Sequence, residues 1–193
     1  MRERAARGVI FDMDGTLIEP AIDFKAMRRA IGVPTGDVLE VIASWGDEAR
    51  AAEALATIAS FEREAALKMA LMPGVTELLA WLSERPLQRA IVTRNNHHTL
   101  QLAVDMMKLD FSPLIDRSFS PPKPAPDALL RIATDWGMAP EEVWMIGDSR
   151  HDLHAAQAAG MRCCLVAQHY NRDYLHEAHA VVERLDELIA VLV

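Results

Sequence analysis

Four short apolar runs with helix-like stretches between them constrain this chain more than any other feature. The runs are residues 9–11, 90–92, 143–146 and 163–166, and the first three end on polar tips at Asp12, Thr93 and Asp148. Unbroken apolar runs of this length suit strands covered on both faces. Helical patterns over 73–82, 99–108, 126–136 and 152–159 have punctuation to match: Pro73 opens the first, Asn95 and Asn96 can cap the second, and Gly137 and Gly160 close the last two. Strands alternating with helices predict an α/β fold with a doubly wound parallel sheet. Ligands of such sheets bind outside the carboxyl ends of the strands, so Asp12, Thr93 and Asp148 are expected to converge on one crevice.

Residues 18–72 break the alternation. They read as helical throughout, over 23–31, 36–45 and 47–71, which predicts a small all-helical insertion directly after the first strand. The core domain is then 1–17 together with 73–193. A chain of 193 residues can hold one such core and a small appended module. Its net charge of -8 offers no basic surplus to replace the counterions of a nucleic acid. No apolar run approaches the roughly 20 residues of a membrane span. The basic start leads into an apolar run too short for a signal-peptide core. The two cysteines, Cys163 and Cys164, are adjacent and make no disulfide framework, so a reducing, cytoplasmic setting is expected.

Asp12 and Asp14 lie two apart at a strand tip and so point to one side. Two such carboxylates can bind a cation, or divide the work of nucleophile and acid/base; a solvated Asp-Gly turn is the plainer alternative. A calcium loop is excluded, because its sixth position needs glycine and here holds Leu17. Asp148 and Asp152 can face one cavity, or Asp148 and Ser149 can simply cap a helix. Thr93-Arg94-Asn95 opens a helix whose backbone N–H groups can meet an anion. Lys123 is one of only four lysines, set among prolines at 121, 122, 124 and 126. A stiff loop can aim its ammonium as a point charge.

In this order, each at a strand-to-helix tip, these segments resemble the four motifs of the haloacid dehalogenase superfamily, in its phosphoglycolate-phosphatase-like branch. Asp12-Met13-Asp14-Gly15-Thr16 is similar to the family's DxDGT, Thr93 to its strand-terminal hydroxyl, Lys123 in KPAPD to its KPxPD lysine, and Gly147-Asp148-Ser149 with Asp152 to its GDSxxD. The resemblance covers nearly the whole chain. It implies a Mg²⁺-dependent phosphatase of a small phosphorylated metabolite, working through an aspartyl-phosphate. Asp12 is then the nucleophile and Asp14 the acid/base. Thr93, the Arg94 N–H and Lys123 hold the phosphoryl oxygens. Asp12, the Asp14 carbonyl and Asp148 bind Mg²⁺, and Asp152 orients its waters or Lys123. The insertion at 18–72 corresponds to the family's helical cap; the 24 residues between Lys123 and Asp148 are too few for the other cap type.

The chemistry makes the cations necessary. A carboxylate about 4 Å from a phosphate dianion meets roughly 8 kcal/mol of repulsion at an effective dielectric of 20. Uncancelled, that is on the order of a million-fold in rate. Asp14 favours phosphate esters, since dehalogenating and carbon–phosphorus-cleaving relatives lack a carboxylate there. A phosphomutase using the same intermediate is the alternative, and a non-catalytic binding protein on this fold the more distant one. Substrate identity and oligomeric state are not legible. Lys25, Arg28 and Arg29, on the first helix of the insertion, are either a solvated face or a contact for a second anionic group.

Overall fold

Among the residues described by the computed structural model (6–19, 22–108 and 110–193), six strands form one fully parallel sheet. They are β1 (Gly8–Phe11), β2 (Gln88–Val92), β3 (Leu114–Ile115), β4 (Val143–Gly147), β5 (Arg162–Val166) and β6 (Ala180–Val182), in the order β3-β2-β1-β4-β5-β6. The chain winds outward from β1 in one direction through β2 and β3, and in the other from β4 through β6. The switch point lies between β1 and β4. Register then fixes what emerges there: Phe11 is level with Ile91 on one side and Ile146 on the other. The residues just beyond, Asp12, Thr93 and Asp148, therefore leave the sheet at the same edge.

Burial on both faces explains the unbroken apolar runs. Ile10, Ala90, Val92, Val143, Met145, Cys163 and Leu165 belong to one core cluster with residues of α6 (Asp127–Asp135) and α7 (Arg150–Ala159). The alternate set, Val9, Phe11, Ile91, Ile146 and Cys164, is equally buried. Helices α4 (Val75–Ser83), α5 (His97–Met107) and α8 (Leu188–Leu192) complete the α/β unit. Sequence reading finds neither β3 nor β6. Both are edge strands of two and three residues and only partly buried, so their short apolar stretches, Leu114-Ile115 and Ala180–Val182, do not mark them as strands.

The chain divides into two compact units. One joins the stretch up to Glu19 with Ala70–Val193; the other is the intervening stretch, ending at Met69. The joints lie inside the 18–72 read from sequence for a simple reason. Ile18 pairs with Leu71 in an antiparallel bridge, with the Glu19 N–H on the Ala70 carbonyl at 2.9 Å and the Met72 N–H on the Leu17 carbonyl at 3.0 Å. This pairing also overrides the expected continuation of the last helix to 71, which stops at Ala66.

The intervening unit is all helical: α1 (Phe24–Ile31), α2 (Val38–Ala43) and α3 (Glu48–Ala66). Asp23, Asp37 and Asp47 cap them in turn, each accepting backbone N–H bonds of the first turn. Met27, Ile31, Val33, Ile42, Ala54 and Ile58 form its separate core. Lys25, Arg28 and Arg29 line an open depression of about 430 Å³ with Gly32 and Pro34. Arg28 is not simply a solvated charge. Its guanidinium donates to the carbonyls of Val33 at 3.2 Å and Gly36 at 2.9 Å, pinning the turn after α1. Arg28 and Arg29 also sit in the last turn of α1, where cations offset the helix dipole. Arg28→Ala should therefore destabilise this unit by about 1 to 2 kcal/mol, read as a lower urea midpoint. An unchanged midpoint would mean that these bonds contribute nothing net.

Candidate active site

Asp12 leaves β1 with its N–H still on the Ile146 carbonyl at 2.8 Å, so the sheet itself fixes its place. Lys123 reaches it from the proline-rich loop before α6. The ammonium donates to Asp12 Oδ1 at 2.8 Å and to Asp152 Oδ1 at 2.5 Å, and all three side chains are buried. Asp152 is held in turn by the start of α7. Its Oδ2 accepts from the Ser149 N–H at 3.0 Å and the Ser149 hydroxyl at 2.6 Å, a capping box that leaves Oδ1 for the lysine. Gly147 is required here, since a Cβ on it would lie 2.3 Å from the Asp152 Cγ. Ser149 is the helix cap, while Asp148 faces the crevice.

Asp148 stands beside Asp12. Its Oδ1 accepts from the Thr16 hydroxyl at 3.4 Å and its Oδ2 from the Tyr170 phenol. The turn after Asp14 makes room for this. Gly15 has φ +79°, and a side chain there would strike Asp148 Oδ2 at 2.5 Å. Asp14 itself accepts from Asn95 Nδ2 at 3.0 Å. The sequence offers Asn95 and Asn96 together as caps of α5, and the structure divides them. Asn96 caps the helix, accepting from the Thr99 N–H at 2.9 Å, and Asn95 turns to Asp14.

Thr93 is buried at the end of β2, where its Oγ1 accepts from the Asn95 N–H at 3.0 Å. The side chain of Arg94 lies 2.8 Å from His151 Nε2. Asp12, Asp14, Thr93, Arg94, Lys123, Asp148 and Asp152 thus lie at one end of the sheet, on four segments joined by hydrogen bonds. Thr16, Asn95 and Tyr170 join them without having been assigned a part. Asn95 left a signal, because only one residue of an Asn-Asn pair can cap a helix. His97 pairs with Asp116 at 3.0 Å rather than with this group.

The electrostatics are unbalanced. Three buried carboxylates, Asp12, Asp148 and Asp152, meet one buried ammonium. Burial and the neighbouring Asp152 raise Asp12 well above the ordinary carboxylate range, against the pull of Lys123. Burial and Asp152 also push Asp148 up to about 7, opposed by the Tyr170 hydrogen bond and Lys123. Asp152 goes the other way. Although burial opposes it, the Lys123 charge and the Ser149 bonds hold it below its usual value. Oxygen atoms of the three lie within 4.8 Å of one another, the one group among the described residues that could hold a metal ion. Hard oxygens with excess negative charge suit a divalent cation such as Mg²⁺ or Ca²⁺.

Residues 6–160 match the description of a haloacid dehalogenase-like hydrolase. The chain belongs to this family. A haloacid dehalogenase-like hydrolase domain-containing protein of Arabidopsis thaliana is 38% identical over 83% of this chain and 70% of its own. Phosphoglycolate phosphatase 1 of Pseudomonas aeruginosa is 32% identical over 96% of this chain and 79% of its own. This places the chain with the phosphoglycolate-phosphatase-like members, as an enzyme of the phosphatase type. In fold, a hydrolase from Pseudomonas syringae superposes with a TM-score of 0.79 at 23% identity, over 96% of this chain and 97% of that one. A subfamily IA member from Geobacter sulfurreducens gives 0.69 at 21%, over 97% of both. No helix among the described residues of this haloacid dehalogenase-like hydrolase is long and apolar enough to cross a membrane.

The raised Asp148 value has a consequence for the cation-free enzyme. A carboxyl that holds its proton to about pH 7 in the fold, and only to about pH 4 when unfolded, favours the folded state at low pH. That contribution is lost as pH rises through the window between the two. A divalent cation should offset the loss. The rise in Tm on adding Mg²⁺ to chelator-stripped protein should be small at pH 5. At pH 8 and saturation near 100 Kd it should reach about 5 to 10 °C. An equal rise at both values would contradict this account.

Proposed function

We propose that this enzyme hydrolyses a small phosphate monoester through an aspartyl-phosphate on Asp12, with Mg²⁺ held by Asp12, Asp148 and the carbonyl of Asp14. The observation that carries the proposal is the excess of buried carboxylate over the single ammonium of Lys123. Such an arrangement is costly unless a dication and an anionic substrate complete it. When bound, Mg²⁺ supplies charge that cancels the repulsion between the Asp12 carboxylate and the phosphate.

The other residues divide the work. Lys123 orients Asp12 through one hydrogen bond and offers a fixed positive charge to the phosphoryl oxygens. Asp152 keeps that ammonium in place and does not touch the substrate. Thr93 accepts from the Asn95 N–H, so its hydroxyl proton is directed elsewhere and can donate to a phosphoryl oxygen, as can the Arg94 N–H. Asp14, held by Asn95 and starting protonated, protonates the departing oxygen and then takes a proton from the water that attacks phosphorus of the Asp12 acyl phosphate, breaking its P–O bond to Asp12. The phosphatase relatives in Pseudomonas support a small phosphorylated substrate.

Release of inorganic phosphate from a panel of phosphorylated metabolites with Mg²⁺ tests the reading directly. Isomerisation of a sugar phosphate without release would instead point to a phosphomutase. Asp12→Asn should abolish turnover while the protein stays folded by circular dichroism; undiminished turnover, or turnover in excess chelator, would sink the mechanism. Asp14→Asn should lose about 10² to 10⁴-fold on alkyl phosphates. The loss should be smaller on aryl phosphates, whose leaving groups need less protonation. Equal losses on both would remove Asp14 from the acid/base role.

A further inference from the structure

The loop after β5 carries no sequence motif that drew attention, yet among the described residues it makes three hydrogen bonds to Asp148. Asn171 is fully buried. Its Nδ2 donates to the Asp148 carbonyl at 2.8 Å and to the Val166 carbonyl at 2.9 Å, and its Oδ1 accepts from the Gln168 N–H at 2.8 Å. These partners fix the amide's orientation, since carbonyls only accept and a backbone N–H only donates. Asn171 thereby ties the end of β4 to the end of β5. The Tyr174 hydroxyl donates to the same Asp148 carbonyl at 3.1 Å. Gln168 Nε2 donates to the Gly15 carbonyl at 3.2 Å, next to Asp14. Tyr170 completes the set, its phenol donating to Asp148 Oδ2.

One short loop therefore holds Asp148 by its backbone and by its carboxylate, and steadies the turn that carries Asp14. Buried backbone pinning alone would be ordinary loop structure. The Tyr170 contact differs in kind: it reaches a carboxylate oxygen rather than backbone, from a side chain whose ring is partly exposed. Its ring packs edge-on against His169, which sets the direction of the phenol. The contact acts on a carboxylate oxygen of a residue that the proposed function makes a cation ligand.

We propose that the 168–174 loop is a positioning device for Asp148, in which the Tyr170 phenol locks the carboxylate in the orientation that cation binding requires. This rests on the reading of Asp148 as a Mg²⁺ ligand. Tyr170 is a positioning residue and takes no part in bond making. The loop supplies the outer hydrogen bonds that metal-ligating carboxylates generally need, whose loss typically weakens affinity or activity by about 10 to 100-fold.

The test is calorimetric titration of the full chain with Mg²⁺, wild type against Tyr170→Phe. The variant leaves one oxygen of a buried carboxylate without its partner, so the Tm of the metal-free protein should fall by about 2 to 12 °C. The Mg²⁺ Kd should rise about tenfold or more, and turnover lost at low Mg²⁺ should return at saturation. A variant Kd within about twofold of wild type would overturn the assignment whatever its Tm. So would a kcat that stays low at saturating Mg²⁺ with an unchanged Kd. A wild-type protein that takes up no Mg²⁺ would overturn the proposed function along with it. Equal binding by both proteins would overturn the positioning role alone.

Discussion

One ammonium shared between two carboxylates organises this molecule. Lys123 bonds Asp12 from the first strand and Asp152 from α7, and neither carboxylate could stay buried without it. Yet the lysine cannot balance the group, because Asp148 stands in the same buried space. The fold thus holds a standing deficit of positive charge at the point where its strands end. A hydrolase of phosphate esters must bring together two like-charged partners, and a preset deficit of this kind suits a dication.

The sheet brings this about through register rather than through loops. With Phe11 level with both Ile91 and Ile146, the residues that follow on three strands leave at one height. Two of them then meet a helix start, Asn96 for α5 after β2 and Ser149 for α7 after β4, while β1 runs into the turn at Gly15. Capping and chemistry occupy neighbouring positions, and the structure keeps them apart by giving each residue one task. Asn96 caps while Asn95 faces Asp14. Ser149 caps while Asp148 faces the crevice. Asp152 does both at once, one oxygen in the capping box and the other on Lys123.

The sequence made the central strands legible because they are buried on both faces and therefore written as unbroken apolar runs. It left β3 and β6 unread, since edge strands of two and three residues bury too little to need such a run. The convergence of the candidate site was legible where carboxylate and hydroxyl residues stand at strand ends, as at Asp12, Thr93 and Asp148, and where prolines stiffen the loop of Lys123. Tyr170 and Asn171 were not, and Asn95 only through its pairing with Asn96, because an amide or phenol that orients another side chain follows no spacing rule. Their partners are remote in the chain, and only the folded sheet brings them within reach. Arg28 is a similar case. Its place on a helix surface suggested solvent or a second anionic group, and the structure adds two carbonyls of the following turn on its guanidinium.

The bridge between Ile18 and Leu71 carries a consequence for how such a chain can vary. Both ends of the helical unit enter and leave through one hydrogen-bonded pair, so the α/β unit sees the same two neighbouring anchor points whatever lies between them. Closing a longer or shorter excursion from fixed ends changes the chain entropy only slowly with length. The anchor thus uncouples the size and composition of the inserted unit from the geometry of the strand ends. Helices can be gained, trimmed or exchanged there while the turn at Asp12–Gly15 keeps its place, which makes this joint the natural seam along which relatives of this architecture can diverge.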